Sequence, residues 1–563
     1  MDKLPIEIIF EIIENCDFLS KIRFSSINKF FNNNVKITDL LNIPNYFIDR
    51  LTNKIIRQRK FKKLKKLKTN NKITQRGISK LNLIELDVSN NKKIKNVSFM
   101  KKLKYLNASG ELCKINQKGI NGLNLVKLKA NHNENIKNVS FMKNLKILEA
   151  KQECGINQKG IQGLNLIKLI ATGNSKIENV AFMKNLQILY IDTVFTIPIS
   201  ECGISQKCIQ GLDLVKLNME NNDKIKNIAF MKNLKYLNAS GVSCKIDQKN
   251  IQDLDLIELN VHNNANVNNV SFMKNLKKLY AGGKCEIDQN GIQGLNLIKL
   301  DANGNSKIKN VSFMKNLKTL DAGSGTKLGF PKKNCGINQK GILGLNLVKL
   351  DINNNEEIEN IAFMKNLRYL NASGDSCKIG QKNIQDLDLI KLCVSDNAKI
   401  KNVSFMKNLK KLDASYNCGI DQKGVKGLDL IKLDISNNVE IKDVSFMKNL
   451  KKLDIGGHSI IDQEGIAGLD LIELNALLNE KIYNVSFMKN LKILDATFCE
   501  IDQKGIIGLD LVEFKASNNE KITDVSFMKN LNKLWAQENC GIDKKGIEGL
   551  DLIVYYGGNE KLY

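Results

Sequence analysis

Cysteine and histidine are the side chains of this 563-residue chain best suited to covalent or metal chemistry, and their spacing decides whether they perform any. Of thirteen cysteines, ten (Cys113, Cys154, Cys202, Cys244, Cys285, Cys335, Cys377, Cys418, Cys499 and Cys540) stand two residues before an isoleucine, at one place in a period of about 41 residues. If one period is two stacked chain turns at about 4.8 Å each, successive cysteines lie roughly 10 Å apart. A disulfide tolerates a Cα separation of only about 7 Å, and Zn–S bonds of about 2.3 Å cannot bridge such a gap either. The pattern predicts a column of reduced, buried thiols acting as small hydrophobes, in a reducing compartment. His132, His262 and His458 lie in no nucleophile pattern. The expectation is a non-catalytic chain with no metal ligands and no cofactor.

Lysine and aspartate carry the next candidate chemistry, recognition by charge. From the middle of the chain onward, Asp301, Asp321, Asp351, Asn371, Cys393, Asp413, Asp434, Asp454, Asn475 and Asp495 recur at one repeat position. Two residues earlier run Lys299, Thr319, Lys349, Tyr369, Lys391, Lys411, Lys432 and Lys452. Tyr236, Tyr280, Tyr369 and Trp535 add aromatic groups of the kind that anchor protein interfaces. Together with Asp301, Asp413, Asp434 and Asp454 they form the predicted partner-binding set, with mutual charge pairing and ordinary strand propensity as the competing explanation. The net charge of +27 would suit nucleic acid, but a lysine column beside an aspartate column is no basic groove, which argues against that ligand.

These positions are set by a repeat. F-M-K-(N or K)-L occurs eleven times, from Phe99–Leu103 to Phe527–Leu531. A period of this length predicts a solenoid, whose units contact mainly their neighbours and present a long surface. Each unit divides into halves, one beginning Leu103-x-x-Leu106-x-Ala108 and the other Leu125-x-x-Leu128-x-Ala130 with Asn133 and Ile136. The pattern resembles the leucine-rich repeat, L-x-x-L-x-L-x-x-N, over roughly residues 61–563. The resemblance implies an α/β solenoid of about 23 half-repeats: a curved parallel sheet on the concave face and short 3₁₀, helical or irregular convex segments. Segments such as Val97–Met100 are expected to form 3₁₀ or single-turn helix. The glycine of Gln117-Lys118-Gly119-Ile120 is expected to permit a tight bend. The period stretches at Asp192–Ser200 and Gly323–Asn334, where Pro198 and Pro331 fall, and insertions of this kind mark loops on one face.

The first sixty residues lack the repeat. Leu4–Glu14 reads as a helix whose polar stripe is only Glu7, Glu11 and Glu14, too apolar to be covered on one side alone. A second helix fits Leu19–Asn32. The run L-P-x-E-I-I-x-x-I-I, followed by L-x-x-I-x-x-x-S-x-I-N-K-x-F, resembles the F-box. It departs in lacking a proline in the loop 15–18 and in having Phe31 where tryptophan is common. An F-box before leucine-rich repeats is the layout of F-box/leucine-rich-repeat proteins, and such uniform arrays are similar to those of amoebae and their giant viruses. The resemblance implies that Leu4, Pro5, Ile8, Ile9, Ile12 and Ile22 dock on the Skp-type adaptor of a cullin ubiquitin ligase, with a protein substrate on the array. The competing reading is a helical cap over the first repeat.

The expected domains are 1–48 (F-box-like), 49–72 (basic linker and cap) and 73–563 (array). The basic run Arg57–Lys66 reads as the solvated face of a linker helix whose apolar side is Ile55, Ile56, Phe61, Leu64 and Leu67, with nucleic-acid or acidic-membrane binding through 50–80 as the alternative. No apolar run is of membrane-spanning length, and acids interrupt Met1–Glu7 where a signal peptide needs an uncharged stretch. A monomer in the cytoplasm or nucleus is expected.

Overall fold

The computed structural model describes residues 6–43, 45–48, 50–194, 200–324, 334–550, 552 and 554–557. The chain divides into two compact units, Met1–Leu254 and Asp255–Tyr563. Both are built from the same step. In Leu103-x-x-Leu106-x-Ala108, residues Tyr105–Asn107 form a three-residue strand. Leu103, Leu106 and Ala108 are buried, while Tyr105 and Asn107 face outward. Alternation of side chains along a strand requires this division. The next strands lie parallel and in register, Glu85 beside Tyr105 beside Lys127 and Leu86 beside Leu106 beside Leu128. In the second unit the register continues from Glu258–Asn260 to Val554–Gly557. Each unit is thus a leucine-rich-repeat solenoid whose leucines stack in columns that exclude water.

Two kinds of turn alternate. One carries a buried asparagine. Asn133 donates from Nδ2 to the carbonyls of Ala108 (2.8 Å) and Ile115 (3.1 Å), and its Oδ1 accepts from the Asn135 amide (2.9 Å). Asn174, Asn305, Asn355, Asn397 and Asn438 repeat the arrangement. The other turn carries the cysteine. All thirteen cysteines are free, and the repeat-column thiols from Cys113 to Cys499 are buried. Burial pushes Cys113 and Cys154 up to about 11, and Cys202, Cys285, Cys335, Cys418 and Cys499 up to about 12. Burial thus favours the neutral thiol over the thiolate, which is the nucleophilic form.

The helical turns fall elsewhere than expected. Val97–Met100 closes with an isolated Met100 N–H to Val97 carbonyl bond of 2.9 Å and forms no helix. The single-turn helices lie in the cysteine half, at Gln117–Ile120, Gln158–Ile161, Gln339–Ile342 and Gln503–Ile506. The reason is local. Asn116, Asn157, Asn338 and Asp502 each accept a hydrogen bond from the amide three residues on, satisfying a donor that a helix start leaves unpaired. Before Val97, Asn96 accepts instead from the amide only two residues on, that of Ser98 at 2.8 Å, which closes a turn and not a helix.

The glycine of this motif also has a different role. Gly119 is not left-handed; a Cβ there would stand 2.1 Å from the Lys95 carbonyl oxygen. The left-handed residue is the following Gly122, at φ 71°. Gly119 therefore answers to close approach of two turns, and Gly122 supplies the bend.

At the N-terminal side, α1 (Ile6–Asn15) precedes α2 (Phe18–Ile27) and α3 (Lys29–Asn34). The single second helix expected from sequence is broken at Asn28. Its backbone is extended and its side chain accepts from the Phe31 amide at 3.0 Å, so it caps a new helix. Asp39–Leu40 pairs in parallel with the strand Lys66–Lys68, Leu40 beside Leu67. Ile13, Val35, Ile37, Leu40, Ile56, Phe61 and Leu64 are all buried. The basic run is the solvated side of this packing: Arg57, Arg59, Lys62 and Lys63 are exposed over buried Ile56, Phe61 and Leu64. It folds as a helical turn (Asn53–Ile56), a 3₁₀ turn (Arg59–Phe61) and the strand, rather than as a linker helix.

Candidate interaction surface

Because strand residues alternate, the first and third positions of every strand form two outward columns. The predicted aromatic residues sit in them, and Tyr236, Tyr280 and Trp535 gather cations. In the first unit, the Lys216 ammonium lies 5.7 Å from the Tyr190 ring centre and 5.6 Å from that of Tyr236. In the second unit, Lys299 lies 4.5 Å over Tyr280 and donates to its hydroxyl at 3.1 Å. Trp535 stacks on Tyr556 at 6.2 Å, with Lys515 6.0 Å away. Such contacts stabilise by roughly 0.5–1 kcal/mol at exposed sites and hold the rings upright on the face. Tyr369 is the most open of the predicted set, 41 % exposed, between Lys349 and Lys391 on the adjacent strands.

Asp301, Asp413, Asp434 and Asp454 are half-buried third-position residues. They are not held by the lysine column. Asp301 accepts from the Asn303 amide (3.1 Å), Asp413 and Asp434 from the hydroxyls of Ser415 (2.7 Å) and Ser436 (2.8 Å), and Asp454 from Asn475 Nδ2 (2.9 Å) and the Gly456 amide (3.0 Å). Mutual pairing of the two columns, the competing explanation from sequence, is therefore replaced by pairing with the residue two places on or with the next strand. A first-position lysine and a third-position aspartate share a face but stand about 6.6 Å apart along the strand, and the short Ser, Asn and Gly groups that follow lie nearer. Asp301, Asp321 and Asp351 also stand side by side on three adjacent strands. Burial first, and then the carboxylates of Asp351 and Asp301, push Asp321 up to about 7. Burial likewise raises Asp351, Asp413 and Asp454.

One feature of this face was missed in sequence. The residue just before the strand is Ile or Val in every second turn, and in several it is open: Ile298 46 %, Val348 36 %, Ile431 45 % and Ile472 43 % exposed. The signal was present in the recurrent L-(I/V)-K-L, where strict alternation does not account for an apolar residue beside the outward lysine.

A second surface lies on the N-terminal helices. Ile8 (41 % exposed) and Ile12 (49 % exposed) share one face of α1, while Ile13 is buried on another. Ile9 and Ile22 are half-buried. With Glu11, Asn15 and Cys16, Ile8 and Ile12 line a shallow hollow of about 390 Å³. Leu4 and Pro5, and the inserted segments with Pro198 and Pro331, lie outside the described residues. At the foot of the first insertion, Val194 and Ser200 exchange backbone hydrogen bonds of 3.1 and 3.0 Å.

No model of a known protein family matches the chain, and no curated protein matches it. Among solved structures, a TLR13–ssRNA13 complex is similar at 18 % identity and a TM-score of 0.40, over 90 % of this chain and 72 % of that one. An internalin (InlF) from Listeria monocytogenes is similar at 15 % identity and a TM-score of 0.26, over 61 % of this chain and 86 % of that one. The functional domain of InlJ from the same species, described as including a cysteine ladder, is similar at 14 % identity and a TM-score of 0.24, over 73 % and 76 %. The fold assignment accordingly rests on the chain's own strand register.

Proposed function

We propose that the chain is a non-catalytic, protein-binding adaptor. On this reading its N-terminal helices dock on a Skp-type adaptor of a cullin ubiquitin ligase, and its repeat face holds the protein to be modified. The observation that carries the reading is the open apolar pair Ile8 and Ile12 on α1, on the far side of a helix already anchored through Ile13. Two exposed isoleucines a helical turn apart form a surface that a partner would bury. The test is co-purification of the full-length protein with a eukaryotic Skp adaptor, comparing wild type with Ile8→Glu and Ile12→Glu. Both side chains are exposed, so the variants are expected to keep the wild-type circular dichroism and unfolding midpoint while losing the adaptor. A folded wild-type protein that captures no adaptor would sink the proposal.

A second reading is favoured by the parallel pairing of Asp39–Leu40 with Lys66–Lys68. On that reading the helices seal the end of a plain leucine-rich scaffold. It expects deletion of the helices to lower the stability of the first repeats, with no adaptor captured by either form.

A further inference from the structure

Six consecutive strands of the second unit differ from their neighbours in that every first-position side chain is exposed. These are Lys349, Tyr369, Lys391, Lys411, Lys432 and Lys452, adjacent in register. Lys452 is paired with Glu473 on the next strand. Among the described residues, no carboxylate lies within ion-pair distance of Lys391, Lys411 or Lys432. On one side of this row is an aliphatic row, present on every second strand, in which Val348, Ile431 and Ile472 are exposed and Ile390 is half-buried. On the other is the half-buried acid row with Asp413, Asp434 and Asp454.

Three parallel rows of different chemistry constrain what can lie along them. A phosphate backbone or an anionic lipid surface carries one sign of charge; it would satisfy the lysines but lie against the aspartates. A polypeptide can present apolar, acidic and neutral or basic stripes together. Spacing then selects its conformation. Strands recur at about 4.8 Å. An α-helix running across them advances about 5.4 Å per turn, so a carboxylate stripe drifts only about 2 Å over the four lysines, within reach of their flexible stems. An extended strand repeats a face at about 6.6 Å and drifts by about 5 Å over the same distance. The aliphatic row recurs every second strand, about 9.6 Å, against about 10.5 Å for seven helical residues.

We infer that the Lys391–Lys411–Lys432–Lys452 ladder is a docking strip for an amphipathic α-helix of a partner protein. That helix would carry an acidic stripe against the lysines and an apolar residue every seventh position against Val348, Ile390, Ile431 and Ile472. The inference rests on the reading that the repeat face holds a polypeptide, and it specifies the chemistry of that polypeptide.

The test uses full-length protein and a fluorescent helical peptide of about three heptads. The peptide carries leucine at each seventh position, a glutamate stripe beside it and a lysine stripe beyond. The comparison probes are the same residues scrambled, an oligothymidylate of about twenty nucleotides and phosphatidylserine vesicles. The expected result is saturable binding of the striped peptide, weakened at least about tenfold by Lys411→Glu with Lys432→Glu. It should be unchanged by Lys382→Glu with Lys423→Glu on the helical-turn side. A peptide with its glutamates changed to lysine should in turn prefer the reversed variant. Equal binding of the scrambled peptide, no binding of the striped one, or oligonucleotide or vesicle binding that alone depends on the ladder would each overturn the inference. Adaptor co-purification is read on the same preparations. A protein that captures the adaptor but not the striped peptide refutes the helix strip alone; one that captures neither refutes the adaptor reading with it.

Discussion

At the scale of single residues, this fold holds acids where water is scarce. Asp321 stands between Asp301 and Asp351 with Asn303 Nδ2 (3.2 Å) and the Gly323 amide (3.1 Å) as donors, too few to offset burial and two like charges. Its folded pKa of about 7 lies above the ordinary 3.8, so between those values the folded state binds more proton than the unfolded one. Stability from this group is therefore full at low pH and is lost as pH rises toward 7 and beyond. Asp321→Asn should raise urea stability more at about pH 8 than at about pH 5, by about 2 kcal/mol. An equal effect at both pH values would show that the carboxyl is not protonated in the folded state. The column containing Asp321 was legible from its spacing in the sequence, and so was the outward direction of its side chains. Its partners were not, because spacing places a side chain on a face without saying which of several polar neighbours lies nearest. The same limit applied to Gly119, where the sequence shows a glycine but not whether φ demands it or the Lys95 carbonyl, which would stand 2.1 Å from an added Cβ.

At the scale of elements, strands this short gain their persistence from the turns. Asn438 joins three segments: Nδ2 donates to Ala414 (2.9 Å) and Ile420 (3.4 Å), and Oδ1 accepts from the amides of Glu440 (2.9 Å) and Ile441 (3.1 Å). Asn438→Ala strands these buried groups and should cost about 3 kcal/mol. Because each turn touches only its neighbours, hydrogen exchange should accelerate most in the turns around Ala414–Ile441. A loss spread evenly over the second unit would contradict that locality. The element period, the strand face and the buried cysteine column were all readable, because L-x-x-L-x-A permits only one way of burying its leucines. The helix breaks were less so. Asn28 and Asn116 both start helices by capping, yet asparagine is also abundant in turns where it caps nothing, so the residue type alone did not choose between them.

At the scale of the molecule, charge is sorted by depth rather than neutralised. The chain carries +27, and on the second unit's outward face the lysines of the first position stay open while the aspartates of the third sit half-buried. Sequence alone suggested two columns cancelling one another. The structure instead offers a partner two rows of opposite sign at different heights, with an aliphatic row alongside. This ordering follows from the pleat, which fixes direction, and from the small residues after each strand, which fix how deep an acid can sit. It could not be seen without knowing which first-position side chains escape contact.

The alternation of asparagine turns with cysteine turns has a consequence for how such a chain can change length. The two are not interchangeable modules: Asn133 reaches back to both Ala108 and Ile115 of the cysteine turn behind it, and Asn305, Asn355 and Asn397 do the same. The removable cassette is the couplet, not the single coil. Excising residues 390–430 joins like to like and should yield a shorter, folded protein with a single sharp melt. Excising 390–409 sets two cysteine turns in succession, leaves a gap in the amide ladder and should produce a product that melts earlier by calorimetry. A half-couplet deletion as stable as the full one would show that the array tolerates growth or loss by single coils.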